Sequence, residues 1–459
     1  MPEPQADLPS GVVAEPATEV SSRAVLQAGT DEPSRPAAGA EARDARRRVA
    51  TTDSAPRRLP TALQSLRHPN YRLLWIGTLV SSSGDWMDQI ALNWLVYQLS
   101  GSAVQLALLN LARLAPIFVF TLVGGVVADR WERRRLLFAT QSVAMVLAFI
   151  LATLTVMGVV QIWMVILIAI GRGIVLSFNQ PARQSLISEL VPRDDLKNAI
   201  ALNSATLNLT RVLGPTLGGV LIATVGVAGA FYLNAASFLA VLYALVLMRF
   251  PDRVVRKKHG SMVAELAGGL DYLMKRPTLR TLVLLALVPM VLGMPYMTML
   301  TVFASDVLQV GGGGLGVLTA CTGIGAVMGA LWVAGTAHRR RLGPLMFYGL
   351  IGFGGALVTF ALSPWFWLSV PALVAVGAGQ QVYMSSNNAL LQTNVEEQYR
   401  GRIVSTLFLN RSMVPLGTVL AGLGTQVFGV QATTAVMAAS LLLLAFSVSR
   451  LAPAARELE

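Results

Sequence analysis

Ionisable residues are few inside the otherwise apolar stretches, and the ones that draw attention are Asp85 and Asp88 in GDWMDQ, then Arg113, Arg172, Arg211 and Arg411. A charge at the centre of a membrane helix costs about 2.5–3.5 kcal/mol or more, so such residues are functional by default. Asp85 and Asp88 are three apart and share one helical face. A carboxylate that can take a proton, set against a guanidinium that keeps its charge, makes an ion pair that protonation opens. At about 1.5 Å per residue, Asp85 lies roughly 21 Å from Tyr71 and Arg113 roughly 15 Å from Ala103, similar depths in neighbouring antiparallel helices. Asp85, paired with Arg113, is therefore the first candidate for proton coupling and Asp88 the second; a fixed structural ion pair is the alternative. Arg172 and Arg211 add positive charge that could attract an anionic substrate or bind backbone carbonyls. Trp86, Asn93, Asn179, Asn208, Gln380, Tyr383 and Asn410 are candidates for lining a substrate cavity, with helix packing as the alternative for each.

Two further constellations carry spacing. GGVVADRWERRR, residues 124–135, places one aspartate and four arginines among seven residues between two long apolar runs. Its Gly125 admits a neighbouring helix, and Asp129 can hold Arg130, Arg134 or Arg135 across the turn, which makes it a candidate gating clasp. A bland positive-inside turn is the alternative. Further on, Arg211 precedes Gly214-Pro215-x-x-Gly218-Gly219. Small residues four apart let helices touch backbone to backbone, and a proline there removes a helical hydrogen bond and bends the helix.

These residues need a scaffold that crosses a bilayer. The 459-residue chain is 54% hydrophobic and only 13% charged, where soluble domains carry about 25% charged residues. Twelve apolar segments follow one another at 71–98, 103–128, 136–157, 160–188, 199–224, 228–249, 278–304, 313–336, 343–363, 366–391, 403–427 and 431–451. Most are long enough to span the hydrocarbon layer. Connections on one side are rich in arginine and lysine; those on the other have none, which predicts both termini in the cytoplasm. An all-α membrane protein of twelve transmembrane helices is expected, in two pseudo-symmetric six-helix bundles over 69–250 and 278–452. A polar tail, 1–68, precedes them, without the apolar core of a signal peptide and of disordered composition. A basic linker over 251–277 with an amphipathic helix joins the bundles, and 453–459 form a short tail.

The formal charge of +12 is spread among connections that face anionic lipid, and aromatics are not interleaved with it as nucleic-acid binding requires. The single Cys321 excludes an internal disulfide. His68, His259 and His338 lie far apart in cytoplasmic segments, and no Walker loop, zinc spacing or catalytic triad is present. No cofactor, no metal and no enzymatic activity are expected. The implied partners are a small-molecule substrate, protons and the lipid bilayer, with the chain acting as a monomer.

GGVVADRWERRR resembles the signature loop between the second and third helices of the major facilitator superfamily, with Glu132 where that pattern usually has glycine. The Gly214–Gly219 stretch resembles the antiporter motif of the same superfamily, with Thr210 in place of its leading glycine. Arg172 falls where the superfamily places an arginine linked to proton transfer. NYRLLWIGTLVSSSGDWMDQIALNWLVYQLSGS, NQPARQSLISELVP, NLTRVLGPTLGG and FYLNAASFL are similar to the branch holding enterobactin exporters and macrolide-efflux proteins; YRGRIVS extends the likeness into the second half. The resemblance implies proton-driven export of a siderophore, macrolide or other secondary metabolite across a bacterial inner membrane. Lysophospholipid flipping on the same fold is the alternative, and a non-transporting scaffold or sensor is the alternative of another class.

Overall fold

The computed structural model describes residues 61–248, 276–336, 341–395 and 413–451. The linker expected over 251–277 falls almost wholly outside the described residues, as do Asn410, Arg411 and YRGRIVS. Nothing is described of the side chains of Asn208 or of residues 121–130, which include Asp129 and Arg130.

Backbone donors and acceptors have no water to turn to in hydrocarbon, so each crossing must satisfy them within itself. Every element described is accordingly helical. A 3₁₀ turn, Thr61–Arg67, leads into α1 (Pro69–Ser100), α2 (Ala103–Arg130), α3 (Arg133–Val156), α4 (Ile162–Leu190), α5 (Arg193–Thr224) and α6 (Gly226–Leu247). The later helices are α7 (Pro277–Leu292), α8 (Tyr296–Val302), α9 (Gly311–Thr336), α10 (Leu342–Leu362), α11 (Phe366–Thr393), α12 (Val414–Phe428) and α13 (Val430–Leu451). With α7 and α8 counted as one crossing, the described residues contain the twelve segments expected.

Two boundaries differ from the apolar pattern, each for a physical reason. Helix α5 starts at Arg193, ahead of its apolar run, because Asp194 and Asp195 in its first turn suit the positive end of the helix dipole. The seventh segment is broken. Pro289 sits in the last turn of α7 and Gly293 and Pro295 follow, so the chain restarts at Tyr296 and then loosens into a π-helical turn, Phe303–Val307.

The packing repeats. Helix α4 lies against α2 and α3, and α3 against α6; in the later helices α11 lies against α9 and α10, and α10 against α13. The two sets meet where α5 packs on α9 and α2 packs on α12. Large apolar side chains such as Leu331, Trp367 and Val427 stay exposed around the outside, a belt suited to lipid. By length and composition alone, seven of the described crossings are apolar enough to span a membrane. Those that are not include α1, α5 and α11, which hold Asp85 and Asp88, Arg211, and Gln380 respectively.

Candidate functional site

Among the described side chains of the first six helices, Asp88 is the most deeply enclosed charge, 2% exposed. Helices α1, α4 and α6 converge on it. Arg172 of α4 donates from Nη1 to Asp88 Oδ2 and from Nη2 to Asp85 Oδ1 at 3.4 Å. The other Asp88 oxygen accepts the Asn234 side-chain amide of α6 at 3.0 Å. Small residues allow the approach. A Cβ on Gly84 would overlap Ser237 and Asn234, so α6 rests directly on α1 one turn before Asp88. A Cβ on Gly173 would strike the Arg113 carbonyl, so α4 presses against α2 and carries Arg172 in. Asp85, one turn before Asp88, leaves 45% of its side chain exposed. One carboxylate is therefore sealed and the other reaches open space.

This geometry differs from the expected Asp85–Arg113 pair. The described ion pairs of Asp85 and Asp88 both go to Arg172, while Arg113 stands within electrostatic reach of both carboxylates and of Arg172. Depth along α1 and α2 is similar, as counted, but α4 supplies the partner. Arg183 was missed. It lies in the polar end of α4, is 8% exposed, donates to Gln180 at 3.0 Å and sits within electrostatic reach of Asp85. Its place inside the fourth apolar segment was the available signal.

The Gly214 stretch is an interface on two sides. Cβ atoms on Gly214 and Gly218 would meet Trp86 and Met87 of α1, and one on Gly219 would overlap Gly316 of α9. Pro215 lies between them inside α5. Arg211 caps this stretch with its guanidinium 5.4 Å from the Trp86 ring centroid, a cation–π contact.

Among the later helices, the polar residues around the break between α7 and α8 are neutral. Tyr296 donates to the Gln380 side-chain carbonyl at 3.1 Å, and the Gln380 amide reaches Met294 Sδ at 3.1 Å, in the break between α7 and α8. Tyr383 donates to the Leu285 carbonyl at 2.5 Å. The Asn110 amide meets Asn93 at 3.4 Å, and Asn179 donates to Thr140 at 3.3 Å, both in buried helix contacts. Trp86 and Gln380 thus sit at the junctions described, while Asn93, Asn179 and Tyr383 tie helices together.

At the arginine-rich end, Arg133 pairs with Glu189 at the end of α4, and Arg134 donates to the Val246 carbonyl at the end of α6 at 3.2 Å. Arg135 pairs with Glu132 at 2.6 Å, so the glutamate that departs from the expected pattern holds a cation of its own turn. Gly125, Asp129 and Arg130 lie in the last turns of α2. Nearby, the 3₁₀ turn is tied to the start of α5. Asp195 accepts from Arg67 at 2.5 Å and lies 2.8 Å from His68, while Tyr71 donates to the Ala199 carbonyl at 2.8 Å. The hydrogen bond with His68, then that with Arg67, holds the Asp195 carboxyl below the usual carboxylate range.

Residues 60–458 match the family model described as transmembrane secretion effector. The chain is 27% identical to the staphyloferrin A transporter of Staphylococcus aureus, over 78% of this chain and 90% of that one. It is 27% identical to the multidrug efflux pump Tap of Mycolicibacterium fortuitum, over 84% and 96% respectively. With the enterobactin exporter EntS of Shigella flexneri the identity is 28%, over 73% and 80%. Among solved structures, a bacterial homologue of the human lysosomal transporter Spinster superposes with TM-score 0.69 at 16% identity, covering 84% of this chain and 98% of that one. The chain belongs to the transmembrane secretion effector family of the major facilitator superfamily and is a multi-pass membrane transporter, not an enzyme.

Proposed function

We propose that the protein exports a small amphipathic molecule by alternating access in exchange for protons, from a bacterial inner membrane with both chain termini in the cytoplasm. The observation that carries this reading is the Asp85–Arg172–Asp88 network, with one carboxylate exposed and one sealed. A group that exchanges protons must be reachable, and Asp85, with 45% of its side chain exposed, is the more accessible of the two carboxylates. Asp88, held by Arg172 and Asn234, keeps the guanidinium in place when Asp85 takes a proton. Protonation then frees one arm of Arg172 without leaving that cation wholly unpaired in the bundle, which would be far more costly.

The contacts between the two sets of helices support an inward-facing state. Gly219 meets Gly316, and Gly422 meets Ala103 and Ala107, at the end remote from the arginine-rich connections. Arginine in short connections marks the cytoplasmic side, so the closed end is the external one. Relatives that handle staphyloferrin A and enterobactin, and a multidrug pump, support export of siderophore-like or drug-like cargo.

The test is uptake of staphyloferrin A, enterobactin and ethidium into everted membrane vesicles, with and without an imposed proton gradient. Gradient-dependent uptake of at least one is expected, and its loss in Asp85→Asn. Uptake by the parent that ignores the gradient, or gradient-driven uptake undiminished in Asp85→Asn, would refute the coupling.

A further inference from the structure

Beyond Arg276, the described residues contain one carboxylate, Asp306. It does not face the central network. It lies in the π-helical turn Phe303–Val307, where Leu308 donates to the Phe303 carbonyl at 2.8 Å and Val310 to that of Ala304 at 2.9 Å. A π turn inserts an extra residue per turn and re-aims the side chains around it, which is why such turns gather at functional sites. Here it aims Asp306 at α1. Tyr97 donates its hydroxyl to Asp306 Oδ2 at 2.5 Å, a bond between residues 209 apart in sequence.

The surroundings say what this bond does. Tyr97 belongs to the first six helices and Asp306 to the later set. On one side α5 meets α9 at Gly219 and Gly316; on the other, α12 meets α2, where a Cβ on Gly422 would press on the Ala103 carbonyl and the Ala107 Cβ. Both contacts are apolar surfaces of small residues, which slide or part without breaking a directional bond. The Tyr97–Asp306 bond lies between them and is directional and charge-assisted. Beside it opens a crevice of about 670 Å³, lined by Tyr97 and Asp306 themselves and by Ser102, Thr425, Gln426 and Phe428. Tyr97 is 7% exposed behind it.

We propose that Tyr97 and Asp306 form a latch that holds the two sets of helices together at the end remote from the arginine-rich connections, and that it must break before this end opens. The latch rests on the alternating-access reading, but its test involves no substrate, so the two can fail separately. Val302 lines the same crevice, is 2% exposed and stands one turn before Asp306. With the lone Cys321 changed to serine, Val302→Cys places a thiol that is smaller than the native side chain behind the latch. The full chain in lipid nanodiscs is then labelled with a membrane-impermeant maleimide.

Slow labelling is expected with the latch intact. Loss of a hydrogen bond to a charged group corresponds to about a tenfold rise in the open population, so Tyr97→Phe or Asp306→Ala raises the labelling rate about tenfold. The double variant is no faster than either single one, because both remove the same bond. A second thiol at Ala148, fully buried in α3, stays protected throughout. Unchanged Val302→Cys labelling in both single variants overturns the latch. So does Ala148→Cys labelling that rises in step, since that is general loosening rather than opening at one end.

Discussion

Around Asp88, helices α1, α4 and α6 converge on full charges; around Gln380, helices α7, α8 and α11 converge on a phenol, an amide and a thioether. Both clusters lie within bundles that repeat the same helix contacts. The difference is in what each can respond to. A guanidinium shared by two carboxylates changes its bonding when one proton arrives. Neutral groups at a helix break change theirs when the helix bends, and Pro289, Gly293 and Pro295 supply the bend. In the exchange proposed above, the first half senses protons and the second changes shape around a cargo. The two sets touch through small-residue seams between α5 and α9 and between α2 and α12.

The most severe way to break this contrast is to remove the shared cation. Arg172→Met leaves two carboxylates facing one another at the core of α1, and removing one partner of a buried pair costs about 3–5 kcal/mol. Thermal unfolding in detergent should show a large drop, and vesicle uptake should be abolished. Full retention of both would mean that the network is decoration.

The neutral cluster should respond more mildly. Gln380→Ala removes bonds from Tyr296 and to Met294, a loss of about 1 kcal/mol for a neutral hydrogen bond. Its expected signature is a change in the ranking of staphyloferrin A, enterobactin and ethidium in uptake, with the proton dependence intact. Altered pH dependence and unaltered ranking would reverse the roles given to the two clusters.

The smallest effect is expected for charges outside the membrane. Asp195 is depressed by His68 and Arg67, so its contribution to stability is present above the ordinary carboxylate range near 4 and fades as pH falls through its lower folded value. Asp195→Asn should lower the neutral-pH plateau slightly and flatten that acid limb of a stability–pH curve. A shift of the neutral-pH plateau as large as that of Arg172→Met would erase the distinction between a charge network inside the helices and one at their end.

The sequence revealed these features unevenly. Charges within apolar runs are conspicuous, so Asp85, Asp88 and Arg172 stood out at once. Their pairing did not, because depth along a helix says nothing of which neighbour it faces. That choice is made by Gly84 and Gly173, whose missing side chains bring α6 and α4 in where α2 alone was expected. Arg183 was hidden by the polar residues around it, and nothing in FYLNAASFL marks Asn234 as facing Asp88. The break after Leu292 was legible in VPMVLGMP, yet the apolar run continues across it and hides the change of direction. Tyr97 and Asp306 carry no mutual signal at all, since an i-to-i+209 contact leaves no periodicity to read.

The central claim is that Asp85 carries the proton exchanged for cargo. Its most direct test is proton movement itself, followed with a trapped pH indicator in proteoliposomes as whichever of the three compounds is transported is added outside. The account predicts a substrate-dependent proton flux in the parent, and in Asp85→Asn continued exchange of labelled for unlabelled substrate with no proton flux. An Asp85→Asn protein that still moves protons with its substrate would contradict it.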